Sequence, residues 1–103
     1  MTDAPEDPIT PFDAAADDAV ALGNQLLDAH PEADAWDIAE GLLSGAVHFW
    51  LYAHQPCGDP ECESCVAVAT AEQRMRRLLE EVRLAAEESS YFHTPNDRNA
   101  GRA

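Results

Sequence analysis

The feature that most constrains how this chain can fold is a cluster of three cysteines and one histidine in a short segment. The four residues are spaced as His54-x2-Cys57-x4-Cys62-x2-Cys65, and the chain of 103 residues has no cysteine outside this cluster. Thiolates and imidazoles are ligands that Zn²⁺ prefers, and four of them complete the closed tetrahedron of a structural site. The spacing therefore predicts a zinc site formed by Cys57, Cys62, Cys65 and His54.

Two other interpretations of the cysteine cluster follow from the same spacing. Cys-x4-Cys-x2-Cys also opens the site of a plant-type iron–sulfur cluster, which needs a fourth cysteine that this chain lacks. An iron–sulfur redox or sensor protein, with a histidine or an external donor as the missing ligand, is therefore an alternative. The other alternative is three thiols that bind no metal. The acidic neighbours Asp59, Glu61 and Glu63 disfavour a thiolate, which argues against a reactive nucleophilic cysteine.

The fourth ligand is less constrained by the spacing than the three sulfurs are. His54 is nearest to Cys57 in the sequence, and closing such a short loop costs little entropy. His93 could also reach the cysteines if the third helix ends early, and His48 lies less than two helical turns before His54. We expect His54 to be the ligand and keep His93 and His48 as alternatives.

The charge of the chain restricts the partners that it can have. Twenty acidic residues stand against 6 basic ones, all arginine, and the net charge is -14 at pH 7. A surface this negative repels bare nucleic acid, so we expect no direct nucleic-acid binding. The composition is typical of proteins from concentrated salt and predicts a halophilic source. An acidic decoy, which imitates nucleic acid and inhibits a basic nucleic-acid-binding partner, is the alternative explanation.

The sequence also predicts the compartment. The first residues lack both the basic start and the apolar stretch of a signal peptide. The longest weakly polar stretch, 41–53, is too short to cross a membrane. We therefore expect a cytoplasmic protein without a membrane partner. In that reducing compartment, closely spaced cysteines bind metal more often than they form disulfides.

Apolar spacing and capping signals predict the first two helices. The segment Thr10-Pro11-Phe12-Asp13 offers a capping hydroxyl, a proline at the first helical position and a carboxylate three residues after the cap. The helix that begins there should end at His30, because the residue before a proline avoids helical geometry. Asp34 begins a second helix, whose polar stripe is narrow. Most of its circumference should therefore be buried, with Trp36, Phe49 and Trp50 in the core.

The remaining segments complete an all-α prediction. Prolines and a glycine make 55–63 a loop, and Ser64 can cap a third helix from Cys65 to about Glu88. No segment shows the alternation of a strand. We therefore predict a three-helix bundle with a cysteine-rich metal-binding loop between the second and third helices. The predicted divisions are a flexible acidic leader over 1–9, the bundle over 10–93 and a flexible tail over 94–103.

The rest of the sequence favours interaction over catalysis. Glu40, Ser44, His48 and Tyr52 align on one face of the second helix, but such a face is more often solvated than catalytic. No other segment supplies a partner for an acid–base site, so we expect no enzyme activity. The sequence thus predicts a small interaction, regulatory or accessory factor with structural zinc and a protein partner that it does not identify. The apolar second helix also makes a homodimer possible.

Overall fold

The computed structural model describes residues 9–59, 61–95 and 97, and every regular element in these ranges is helical. In chain order the elements are α1 (Pro11–Ala29), α2 (Ala35–Ala53), a 3-10 helix (Glu63–Val68) and α3 (Ala71–Glu88). The predicted all-α class is confirmed, and the three cysteines lie between α2 and α3, as predicted. The proposed leader lies almost entirely outside the described residues, as does most of the proposed tail, so those divisions stay predictions.

Local capping sets both ends of α1. The Thr10 hydroxyl oxygen accepts a hydrogen bond from the Asp13 backbone N–H at 3.0 Å, and Pro11 occupies the first turn. At the other end, the His30 backbone N–H donates to the Leu26 carbonyl at 3.0 Å. Pro31 follows at once and prevents a further helical turn. Both predicted ends of α1 are confirmed.

The chain divides after Phe49 into two compact units, and α1 with most of α2 forms the first. Asp34 begins α2, because its carboxylate accepts a hydrogen bond from the Trp36 backbone N–H at 2.9 Å. The two helices approach closely at Gly23, where an added Cβ would lie 3.1 Å from Leu42 Cδ1. A Cβ at this position would require the Leu42 side chain to shift by a few tenths of an ångström.

The predicted burial of α2 is wrong. No residue of α1 or α2 is buried, and the side chains of Trp36 and Phe49, which we expected in the core, are 76% and 66% exposed. Trp50, at the start of the second unit, is only partly buried. Among the described residues of the first unit, α1 is the only helix beside α2, and one neighbour can cover only one stripe of a helix.

The third α-helix begins later than predicted. The cysteine-containing segment Glu63–Val68 is a short 3-10 helix, and α3 begins at Ala71. Thr70 caps α3: its hydroxyl accepts from the Gln73 backbone N–H at 3.1 Å, while the Gln73 side-chain oxygen accepts from the Thr70 backbone N–H at 3.1 Å. This reciprocal capping box satisfies two N–H groups. Ser64 is therefore not the cap of α3.

The second unit has a small core. Val68 and Leu78, each 8% exposed, are the only hydrophobic side chains that are buried among the described residues. The Arg74 guanidinium donates to the Val68 carbonyl at 2.9 Å and so ties the 3-10 helix to α3. Along α3, ion pairs form at helical spacing: Arg77 with Glu81, and Arg83 with Glu80 and Glu87.

Candidate metal centre

The sulfur atoms of the three cysteines lie close together in the second unit. The Sγ atoms of Cys57, Cys62 and Cys65 are all within 4.8 Å of one another, and all three residues are free thiols. Sulfurs that share one zinc ion lie roughly 4 Å apart, because each Zn–S bond is about 2.3 Å long. The structure therefore confirms that these three cysteines could bind one metal ion, while the kind of metal stays a prediction.

A tight turn brings Cys57 back towards the other two cysteines. Gly58 has a φ of +89°, a backbone conformation that strains any residue with a Cβ. The Asp59 carboxylate accepts from the Glu61 backbone N–H at 2.9 Å, and the Asp59 carbonyl accepts from the Cys62 backbone N–H at 3.1 Å. These bonds hold the turn through contacts within the segment itself.

The 3-10 helix aligns Cys62 with Cys65. Cys62 is its N-cap, and the Cys65 backbone N–H donates to the Cys62 carbonyl at 3.3 Å. Residues three apart in a 3-10 helix lie on the same side, so the Cys-x2-Cys spacing places both sulfurs together. The Cys57 backbone N–H also donates to Cys65 Sγ at 3.3 Å, a bond that would stabilise a thiolate on Cys65.

Neighbouring groups in the cluster shift the pKa values of Cys62 and Cys65. Hydrogen bonds from the Cys65 and Cys57 thiols, and then from the Cys65 and Ser64 backbone N–H groups, lower the pKa of Cys62. For Cys65, the Cys57 backbone N–H favours the thiolate, but the Cys62 and Cys57 thiols and burial outweigh it and raise the pKa. The protons of Cys62 and Cys65 therefore depend on one another. A metal ion must displace the remaining protons, so its binding depends on pH.

His54 lies directly after α2, and its ring is held in place. The Nδ1 atom lies 2.8 Å from the Trp50 carbonyl oxygen, and the ring stacks on the Trp50 indole with centroids 3.7 Å apart. Since a carbonyl oxygen only accepts, Nδ1 is the donor in this contact, which leaves the lone pair of a neutral imidazole on Nε2. The ligand atoms that lie within 4.8 Å of one another are the three sulfurs, and the ring nitrogens of His54 are not among them. Its role as fourth ligand stays a prediction.

The two alternative histidines lie in other surroundings. His93 Nδ1 is 3.3 Å from the Asp97 carboxylate, in a turn that Thr94 also joins through hydrogen bonds to Asp97. His48 is exposed on α2. Neither belongs to the sulfur group.

Sequence reasoning missed a long-range contact beside His54. The Trp50 indole N–H donates to Glu81 Oε1 at 3.0 Å, and the Arg77 Nε donates to Glu81 Oε2 at 2.9 Å. The Trp50 indole N–H, followed by Arg77, lowers the pKa of the Glu81 carboxyl. The end of α2, just before His54, is thus joined to α3. Trp50 and Glu81 are separated by 31 positions, and no local signal in the sequence pairs them.

A shallow depression of about 200 Å³ lies beside the sulfurs. Cys62 and Cys65 line it together with the apolar side chains of Val66 and Ala69. An ion can therefore reach these two sulfurs from solvent.

Comparisons with known proteins do not extend this description. Neither the protein-family models, the curated proteins nor the solved structures include a significant match to this chain. Among the helices that the structure describes, none has the length and apolar character needed to span a membrane.

Proposed function

We propose that this protein is a small zinc-binding interaction factor, in which a structural Zn²⁺ is held by Cys57, Cys62, Cys65 and His54. The observation that carries the proposal is the group of three sulfurs within 4.8 Å of one another. The ion holds the segment that joins α2 to α3, and the protein acts through a protein partner as a regulatory or accessory factor.

The size of the core supports a structural role for the ion. Val68 and Leu78 are the only buried hydrophobic side chains among the residues described, and two such side chains stabilise a fold by only about 2–3 kcal/mol each. Zinc in small domains contributes directly to the free energy of folding. Three thiolates without a cation would also repel one another, so metal binding and folding of this unit are coupled.

The donor set and the orientation of His54 support zinc with a fourth protein ligand. Thiolate and imidazole together match the softness of Zn²⁺. Metal-bound histidines usually donate their second ring N–H to a carbonyl or carboxylate, and His54 Nδ1 lies 2.8 Å from the Trp50 carbonyl. Coordination through Nε2 would preserve that hydrogen bond.

The surface supports interaction over catalysis. A zinc ion with four protein ligands has no open position for substrate. Large apolar side chains, including Trp36 and Phe49, remain exposed. Exposed aromatic side chains of this size are available for contact with a protein partner.

The first test is metal content together with thermal stability. We expect one zinc per chain after dialysis, and a melting temperature that falls by more than about 5 °C on chelation, equivalent to over 1 kcal/mol in a domain of this size. A visible absorption spectrum after anaerobic purification separates zinc from an iron–sulfur cluster, since zinc is colourless. Protein without metal, whose melting is unchanged by chelator, would contradict the proposal.

Substitutions test the ligand set. Cys57→Ser, Cys62→Ser and Cys65→Ser should each abolish tight zinc binding. His54→Ala should weaken it by about tenfold or more, whereas His93→Ala, the matched control, should leave it unchanged. The d–d spectrum after cobalt substitution reports whether the site stays four-coordinate. Unchanged zinc affinity in His54→Ala, with loss in His93→Ala, would move the fourth ligand to the C-terminal segment.

A further inference from the structure

An apolar groove runs between α1 and α2 in the first unit, remote in sequence from the cysteines. It is open to solvent, has a volume of about 510 Å³, and its lining among the described residues consists of apolar residues and glycines. From α1 these are Ala19, Leu22 and Leu26, and from α2 they are Ile38, Gly41, Leu42, Gly45 and Ala46. A volume of this size falls within the usual range for binding pockets.

Two glycines in the groove have open space beside them in the described part of the chain. A Cβ added at Gly41 or Gly45 would meet nothing within 4 Å, whereas one at Gly23 would lie 3.1 Å from Leu42. Glycine inside a helix is destabilising relative to alanine. Gly23 lies against Leu42, whereas Gly41 and Gly45, one turn apart, leave a space free above α2. That space suits the close approach of another backbone.

The charge around the groove is of one sign. No lysine or arginine precedes Arg74, so the unit that forms the groove contains carboxylates but no basic side chain of either type. Asp18 lies one turn before Leu22, and Asp37 lies one turn before Gly41, so each carboxylate borders the lining residues. Both are exposed, and neither has an ion pair within the described part of the chain.

We propose that this groove binds a basic amphipathic helix of a partner protein. The apolar side chains of that helix enter the space above Gly41 and Gly45, and its lysines or arginines lie near Asp18 and Asp37. Helix-in-groove binding of this type combines apolar anchors with charge complementarity. The proposal deepens the proposed interaction function by naming the kind of partner, and it rests on that function only in assuming action through a partner.

Charge argues against a second copy of this chain as the occupant. A second copy would bring an identical groove with carboxylates opposite carboxylates, and like charges at an interface are destabilising. The arginines of α3 that form ion pairs, Arg77 and Arg83, are already paired with glutamates of their own helix. A separate basic helix has no such competing partners.

The test uses the full chain loaded with zinc and labelled helical peptides of about 18 residues. One peptide has leucines along one face and lysines elsewhere, the second replaces the lysines with glutamates, and the third keeps the composition of the first but scrambles the apolar face. We expect the first to bind, with affinity that falls as salt rises, and the other two to bind at least about tenfold more weakly. Equal binding of the first and third peptides would show simple charge attraction and overturn the proposal.

Two variants test whether the peptide binds in the groove. Both are chosen so that a loss of affinity cannot be mistaken for unfolding. Gly41→Ala/Gly45→Ala should raise the melting temperature by several degrees, since alanine favours the helix, yet weaken the first peptide about tenfold or more by filling the groove. Leu43→Ala, at an exposed position of α2 that does not line the groove, should leave the affinity unchanged. Unweakened binding to the glycine variant would overturn the proposal.

Two further measurements separate the other outcomes. Sedimentation of the free chain reports self-association. A dimer that dissociates in the glycine variant would show that a second copy of the chain, and not a basic helix, occupies the groove. Metal analysis of the same samples reports zinc independently of peptide binding. Absence of zinc with intact peptide binding would contradict only the proposed metal function. Bound zinc without peptide binding would contradict only the proposal for the groove.

Discussion

Glu81 shows what one side chain contributes to the second unit. Its carboxylate accepts from the Trp50 indole N–H at 3.0 Å and from Arg77 at 2.9 Å, so it joins the residue beneath the His54 ring to α3. Both donors favour the ionised carboxylate. Because 42% of the Glu81 side chain remains exposed, solvent screens the ion pair and limits the stabilisation to about 1 kcal/mol.

The first prediction is that Glu81→Gln lowers stability in a pH-dependent way. The folded-state pKa of Glu81 lies below its ordinary value of 4.5, so its contribution is fully present above that pH and is lost as pH falls through the folded pKa. The difference in melting temperature between wild type and variant should therefore be a few degrees at neutral pH. It should fall towards zero in acid.

Glu88→Gln is the matched control, since Glu88 is exposed on the same helix and has no ion pair among the described residues. The difference in melting temperature between wild type and Glu88→Gln should not become smaller in acid in the same way. Acid also releases zinc, but from wild type and variants alike, so the difference isolates Glu81. A difference that widens in acid would contradict the prediction.

Among the helices, α3 is the one whose beginning differs from the prediction. Ser64 and Thr70 both precede helix-forming residues, and both are residue types that favour the N-cap position. The structure selects Thr70, because Gln73 completes a reciprocal pair of hydrogen bonds. The six residues of the 3-10 helix are then free to align Cys62 with Cys65.

The second prediction compares these two positions. Thr70→Ala should destabilise the protein by about 1 kcal/mol, the usual loss when a capping side chain is removed. Ser64→Ala should change stability by less than about 0.5 kcal/mol, as surface substitutions commonly do. Urea unfolding of both variants, each loaded with zinc, measures the difference. A larger loss in Ser64→Ala than in Thr70→Ala would contradict the capping assignment.

For the whole molecule, charge is the dominant property. The net charge is -14, and every basic residue lies at or after Arg74. Carboxylates distributed without nearby cations repel one another and oppose folding. Added salt screens that repulsion, since the Debye length falls from roughly 30 Å at 0.01 M to 3 Å at 1 M.

The third prediction is that the melting temperature rises with sodium chloride from 0.01 M to 1 M. Asp17→Asn/Asp28→Asn, which removes two exposed carboxylates of α1 without ion pairs among the described residues, should raise stability at low salt and reduce the salt effect. Sucrose at matched osmolality is the control for general preferential exclusion. Full stability at low salt without any further rise would contradict this prediction and the expected adaptation to salt.

Features that depend on near neighbours follow from the sequence alone. The start of α1 at Thr10-Pro11 and its end at His30 follow from hydrogen bonds and steric contacts within about four residues. The proximity of Cys57 to Cys62 and Cys65 follows similarly from short loops, which cost little entropy to close. Such features need no knowledge of the remaining chain.

Tertiary structure alone decided burial and the pairing of distant residues. Trp36 and Phe49 are residue types that often lie in a core, yet both are exposed here. The reason is that burial depends on how many neighbours a helix has. The choice of Glu81 as the acceptor for Trp50 likewise depends on how the end of α2 meets α3. Apolar periodicity defines which face of a helix can be buried, but only packing between helices determines whether that face is covered.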